Sequence, residues 1–289
     1  MQIIINGLIT GLTISLLALA FSVVFLPTRI LHIAMGGVYA AIPFLTWTFV
    51  NWGWSWPIAA TAGVLTGVVL SLGCERFNHA RLESIGASSG AQLVSSLGIY
   101  IIVVQVIVLI WGNETKVLRT GVDEVFVMRD IAITRAQTIS GVVSILVISF
   151  YYSWLRYSNL GLQFRALSDN PVEFALKGYN VRGLRLLIFG VSGLLCSIGS
   201  LLISFDIGFD PQGGFMAVLL AIVAVIIGGR ESFMGPVLGG ILLGIIRSEV
   251  VWFLSVRWQE SVTFLLLALF LFFQPNGILA RKGRLEAEA

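Results

Sequence analysis

Apolar and polar residues fall into long alternating blocks along the chain. Apolar runs cover residues 3–26, 33–50, 57–74, 90–111, 137–155, 186–205, 215–228, 236–254 and 260–274, separated by shorter polar stretches. A helix that crosses a bilayer needs about 20 mostly apolar residues. The runs therefore predict an all-α polytopic membrane protein of eight to nine transmembrane helices. The run 215–228 is too short to cross a core of roughly 30 Å as an ordinary helix, so a half-helix or part of a broken pair is expected there. No stretch remains for a second globular domain, and residues 1–289 read as one transmembrane domain. The first run has no charged segment before it and no small-residue cleavage signal, which predicts a retained span.

Basic residues favour cytoplasmic loops. With the N-terminus outside, the inner segments hold Arg29, Arg76, Arg81, Arg156, Arg165, Lys177, Arg182, Arg185, Arg230, Arg281, Lys282 and Arg284. The outer segments hold only Lys116, Arg119, Arg129, Arg135 and Arg257, and Arg247 lies within a span. Twelve against five predicts an outside N-terminus, a cytoplasmic C-terminus and an odd number of crossings.

Two loops stand out. In the outer loop 112–136, the β-prone runs Val125–Val127 and Ile131–Ile133 predict a small hairpin. Upstream, Trp52, Trp54 and Trp56 suit an interfacial aromatic belt. The inner loop 156–185 is polar and basic yet carries a complete set of helix signals. Asn170 is a good N-cap, Pro171 fits the first helical position, Glu173 falls where a capping box needs it, and Gly178 suits the left-handed exit. A helix over about 171–177 is expected, and one so short is marginal alone in water. It must pack on its own spans or dock on a partner.

Composition narrows the function. The chain is 57% hydrophobic and 11% charged, whereas soluble domains carry about 25% charged residues. That excludes a soluble enzyme or a nucleic-acid binder. Cys74 and Cys196 sit in apolar runs and read as small buried hydrophobes. With His32 and His79 they do not make a zinc set, so no metal site, catalytic residue or bound cofactor is expected. No phosphate-binding G-x-x-x-x-G-K-[ST] occurs, so any ATP used must be bound by another chain. The spans are nearly free of Asp and Glu, which weighs against an ion-coupled carrier, the lesser alternative. No filter motif of a channel is visible.

Polar positions that could line a path are Asn6, Thr10, Gln92, Ser95, Ser96 and Gln105. Interhelical hydrogen bonds, worth about 0.6 kcal/mol each, are the plainer alternative. Gly36-Gly37 and Gly213-Gly214 each open an apolar run after a polar turn, one entering from the inner side and one from the outer. An inverted repeat would place them so, and transporters put their pathway at such interrupted helices. The series Gly228-Gly229, Gly235, Gly239-Gly240 and Gly244 reads as close helix packing.

Several of these residues carry a resemblance. Ala224–Gly229, Ser232 and Gly235–Gly240 resemble the signature of the LivH-type permeases, membrane subunits of branched-chain amino acid ABC importers. Arg165-Ala166, Asp169, Ala175 and Gly178–Asn180 resemble that family's inner-loop pattern. Ile33–Gly36 matches an early element in part, and Pro275–Leu279 resembles its C-terminal ending. The resemblance implies a heterodimer with a LivM-like second permease, two ATP-binding subunits and a periplasmic binding protein, in a bacterial inner membrane. It implies that the coupling segment on the ATPase comprises Arg165, Asp169, Asn170, Pro171, Glu173, Phe174, Ala175, Leu176 and Gly178. Related permeases carry urea, short amides and other amino acids, so the resemblance leaves the substrate open.

Overall fold

The structure, a computed structural model, describes residues 1–119, 124–128 and 131–279. The apolar runs form helices α1 (Gln2–Thr28), α2 (Met35–Asn51), α3 (Trp56–Gly73), α5 (Ser89–Trp111), α6 (Arg135–Tyr157), α9 (Val181–Ile207), α10 (Gly213–Gly228), α11 (Gly235–Phe253) and α12 (Gln259–Phe273). A π-helical stretch, Cys74–His79, joins α3 to a short α4 (Ala80–Ser84), so one helical rod runs from Trp56 to Ser84. Among the described residues, seven helical rods are long and apolar enough to cross a membrane. With α12 extended by the 3-10 turn at Val256–Trp258 to an 18-residue rod, two apolar helices are shorter than these rods: α2, of 17 residues, and α10, of 16. The protein is an all-α polytopic membrane protein with one small sheet.

That sheet is the expected hairpin. β1 (Val125–Met128) pairs antiparallel with β2 (Ile131–Thr134), Val125 opposite Thr134. Thr134 then caps α6 in a full capping box with Gln137. The basic loop 156–185 holds more than the single helix expected of it. An amphipathic α7 (Asn159–Asp169) precedes α8 (Pro171–Leu176) and buries Phe164 and Leu167.

Contacts sort the loops onto two opposite faces. Gln2 bonds the Ala132 backbone in both directions, and Ser248 donates to the Ile3 carbonyl, 2.9 Å. These place the start of α1, the hairpin and the end of α11 together on a hairpin face. Arg29 pairs with Glu231 at 3.7 Å, and Tyr152 donates to the Phe233 carbonyl at 2.6 Å. The α1–α2, α6–α7 and α10–α11 connections thus share the other face, which carries α8. The final Arg281, Lys282 and Arg284 lie outside the described residues.

The core is built around α1, nearly all of whose residues from Gly11 to Leu26 are buried. A bilayer gives apolar helices no hydrophobic reason to associate, so close packing and hydroxyl bonds must do it. Gly7 and Gly11 on α1 lie against Gly240 and Gly244 on α11, backbone on backbone. Ser15 donates to the Val237 carbonyl, 3.0 Å. From α9, Ser192 reaches the Ala20 carbonyl (2.7 Å) and Ser200 the Tyr39 carbonyl (2.6 Å). The signature glycines Gly228, Gly235 and Gly239 pack the α10–α11 turn. The ending folds back on it, with the Ile278 and Leu279 amides donating to Ile227 and Gly228 carbonyls at 2.9 and 3.0 Å.

Cys196 is buried and Cys74 half-buried, and both are free. Trp52, Trp54 and Trp56 are exposed at the hairpin-face rim, as an aromatic belt requires.

Candidate translocation cavity and coupling segment

The two short helices meet at their starts. A Cβ on Gly36 would stand 2.8 Å from the Gly214 carbonyl oxygen, and one on Gly214 would press on Gly36 and Ala40. Only glycine leaves room for this crossing. From there α2 runs to the hairpin face and α10 to the α8 face. Both begin well inside the protein. The Ala34 amide donates to Ser96 Oγ, 2.9 Å, two turns into α5, and Phe215 packs on Tyr100 in mid-α5. Two helix N-termini, each with a positive dipole end, therefore converge inside the bundle.

On the hairpin side of this crossing lies a cavity of about 280 Å³. Its lining comes from α1 (Thr10, Thr13, Leu17), α2 (Tyr39, Pro43), α6 (Gln137, Ser140), α9 (Ser204, Asp206), the turn Gly208–Asp210, α10 (Met216, Ala217) and α11 (Arg247). Charges of both signs share these walls with an apolar floor. Asp210 Oδ1 accepts from the Gln212 and Gly213 amides, 2.8 and 2.9 Å, and so holds the start of α10. Arg247, inside α11, donates to Thr263 Oγ1 at 3.0 Å and Gln259 Oε1 at 3.4 Å. A guanidinium within a span is costly and faces a cavity or a polar partner; Arg247 does both. The segment after α5 is strapped to the rim by paired Lys116–Phe209 backbone bonds of 2.8 and 2.9 Å, and Arg119 donates to the Asp206 carbonyl, 2.8 Å.

On the opposite face, α7 and α8 form a folded unit. Asn170 Oδ1 accepts from the Val172 and Glu173 amides, 3.1 Å each. The cap is one-sided: the return bond from Glu173, expected of a capping box, is not made among the described residues. Gly178 closes the helix at φ +80°. Phe174 is buried, stacked on Tyr179 with centroids 4.8 Å apart, while Val172 and Leu176 are exposed one turn apart on the other side of α8. A groove of about 360 Å³ runs between α7 and α8, past Asp169, Glu173 and Lys177.

A sequence profile described as "Branched-chain amino acid transport system / permease component" matches residues 3–272. The chain belongs to that family. BraD of Pseudomonas aeruginosa, described as a high-affinity branched-chain amino acid transport system permease protein, is 27% identical, over 97% of this chain and 96% of its own length. LivH of Escherichia coli, with the same description, is 25% identical over the same shares. LsrC of Escherichia coli, an autoinducer 2 import system permease protein, is 24% identical over 89% of this chain and 75% of its own. Among solved structures, PsaBC from Streptococcus pneumoniae in complex with Fab superposes with a TM-score of 0.51, at 14% identity, over 93% of this chain and 90% of that one. That last likeness is one of fold alone.

In this permease the sequence-derived path positions scatter. Thr10 and Gly213 line the cavity, and Gly36 and Gly214 form the crossing at its base. Gly37 packs on Val103. Ser96 holds the entry to α2, Ser95 bonds Asn78, Gln92 lies beside them near the α8 face, Asn6 accepts from Gln2, and Gln105 is exposed. Asp206, Asp210, Gln137 and Tyr39 went unmarked in the sequence, because each joins the cavity only through the fold. Arg247 carried a signal, a lone charge inside a span.

Proposed function

We propose that this permease is a membrane subunit of an ATP-driven importer and carries branched-chain amino acids released by an external binding protein. The observation that carries the reading is the α7–α8 unit. It presents two exposed apolar side chains, Val172 and Leu176, on a short capped helix at the basic face. Such a helix is a ready knob for a partner's groove. The partners are a second permease of the same family and two ATP-binding subunits, which supply the hydrolysis this chain has no motif for. The distribution of basic residues supports α8 in the cytoplasm and the hairpin outside, in a bacterial inner membrane. The hairpin-face cavity supports the substrate class. A zwitterion with a branched apolar side chain finds carboxylates at one wall, a guanidinium at another and a floor of Leu17 and Ala217. The Gly36–Gly214 crossing closes the α8 side, which fits an outward-open arrangement.

The test is ATP hydrolysis by the reconstituted complex with its binding protein, offered leucine, isoleucine, valine, urea and acetamide in turn. Stimulation by the three branched amino acids supports the reading. Stimulation by urea or acetamide alone would reassign the substrate.

A further inference from the structure

A second cavity, of about 680 Å³, opens at the α8 face between the rod Trp56–Ser84 and the start of α9. That volume falls in the range of roughly 300–1,000 Å³ typical of small-ligand sites. Arg76, Arg81, Arg182 and Arg185 converge on it, against only Glu75 and Glu83. Both acids are spent on Arg185. Glu75 Oε1 accepts from Arg185 Nε at 2.7 Å in a buried pair, and Glu83 takes the other side of the same guanidinium. Among the described residues, Arg76, Arg81 and Arg182 have no acidic partner, and all three are exposed. Four guanidiniums against two carboxylates leave the lining a net charge of +2, and Arg76, Arg81 and Arg182 ring the hollow without an acidic partner among the described residues.

The surface leading to this hollow is apolar. Ile58, Leu65, Val69 and Phe77 are all exposed, and Leu65, Val69 and Phe77 recur at multiples of four residues along the rod. A helix shows side chains at that spacing on one side. The stripe ends at the cavity, where Phe77 is itself part of the lining beside Arg76 and Arg81. The π-helical turn over Cys74–His79 lies where the apolar stripe gives way to the basic ring.

We propose that this hollow binds the phosphate of an anionic membrane phospholipid, whose acyl chains lie along the exposed stripe of α3. An apolar track that ends in a ring of arginines matches the two parts of such a lipid. Basic pockets between spans at the membrane surface take anionic headgroups for this reason, and arginine's fork suits phosphate oxygens. The proposal needs only that the chain spans a membrane, and it stands apart from the transport reading.

The complete complex is tested in nanodiscs of phosphatidylglycerol or of phosphatidylcholine, and by native mass spectrometry after detergent extraction. Wild type should retain phosphatidylglycerol and melt at higher temperature in its presence, with no such shift from phosphatidylcholine or from inorganic phosphate. Each change among Arg76→Gln, Arg81→Gln and Arg182→Gln should lower retention about five-fold, as expected for one basic residue at an anionic surface. The triple lysine variant should keep most of it. Equal retention in wild type and the triple glutamine variant overturns the proposal. So does a thermal shift with inorganic phosphate as large as with lipid. Cross-linking of Arg81→Cys to an ATP-binding subunit, with no lipid retained, would make the hollow a protein interface and overturn it equally.

Discussion

Gly36 and Gly214 meet backbone to backbone where α2 and α10 begin, so closely that a Cβ on Gly36 would stand 2.8 Å from the Gly214 carbonyl oxygen. The two residues are far apart in sequence and enter from opposite faces. Their contact fixes the depth at which the cavity ends. A side chain there must push two backbones apart, which costs roughly 1–3 kcal/mol in a packed interior. Gly36→Ala and Gly214→Ala should each lower the thermal midpoint of the purified complex. Gly98→Ala is the control, because a Cβ there meets nothing within 4 Å; it should leave the midpoint unchanged or raise it.

The Glu75–Arg185 pair is buried on both sides. Removing Arg185 strands the buried Glu75 carboxylate, at a cost of about 3–5 kcal/mol, because Glu75 has Arg185 as its ion-pair partner. Arg185→Gln should therefore reduce the yield of folded protein and its melting temperature. Glu83→Gln removes a half-exposed partner and should cost far less, since solvent screens such pairs. Thermal melts of the two variants side by side check the ranking.

Phe174 and Leu176 separate stability from coupling. Phe174 is buried inside its own loop, and truncating a buried Phe to Ala costs roughly 3–5 kcal/mol. Phe174→Ala should loosen the α7–α8 unit, seen as faster amide exchange over 159–180. Val172→Ser with Leu176→Ser should leave exchange unchanged yet weaken ATP-subunit association. An intact complex in the double serine variant would make α8 a linker.

Much of this was legible in the sequence. The long apolar runs marked all nine apolar helices, because a span must be apolar regardless of its neighbours. The hairpin followed from two β-prone triplets, and Asn170, Pro171 and Gly178 marked α8 because capping is local chemistry. The helix α7 was hidden: its residues Asn159–Asp169 are polar enough to pass for loop, and only the fold shows Phe164 and Leu167 turned inward. The burial of Phe174 was also hidden, since Tyr179 and α7 supply its cover. The cavity was the least visible part. Thr10, Asp206 and Arg247 come from three helices spread over most of the chain, and no local pattern links them.

The cavity charges give a further expectation. Asp210 holds the start of α10 through two amides, while Arg247 is held by α12 through Thr263 and Gln259. Asp210→Asn keeps an oxygen for both amide bonds but removes the charge. It should lower the rate of substrate uptake by about ten-fold or more, the loss of one charged contact worth about 1.5–3 kcal/mol, with little change in melting temperature. A matching fall in stability would make Asp210 a structural cap only.

The most direct test of the account is uptake itself. The permease is reconstituted in proteoliposomes with the second permease, ATP-binding subunits and binding protein proposed as its partners, and radiolabelled leucine is followed into the lumen. Leucine accumulation should require ATP on the α8 side and the loaded binding protein on the hairpin side, and should persist when ion gradients are collapsed. Accumulation driven by a proton or sodium gradient in the permease alone, without ATP, would contradict it.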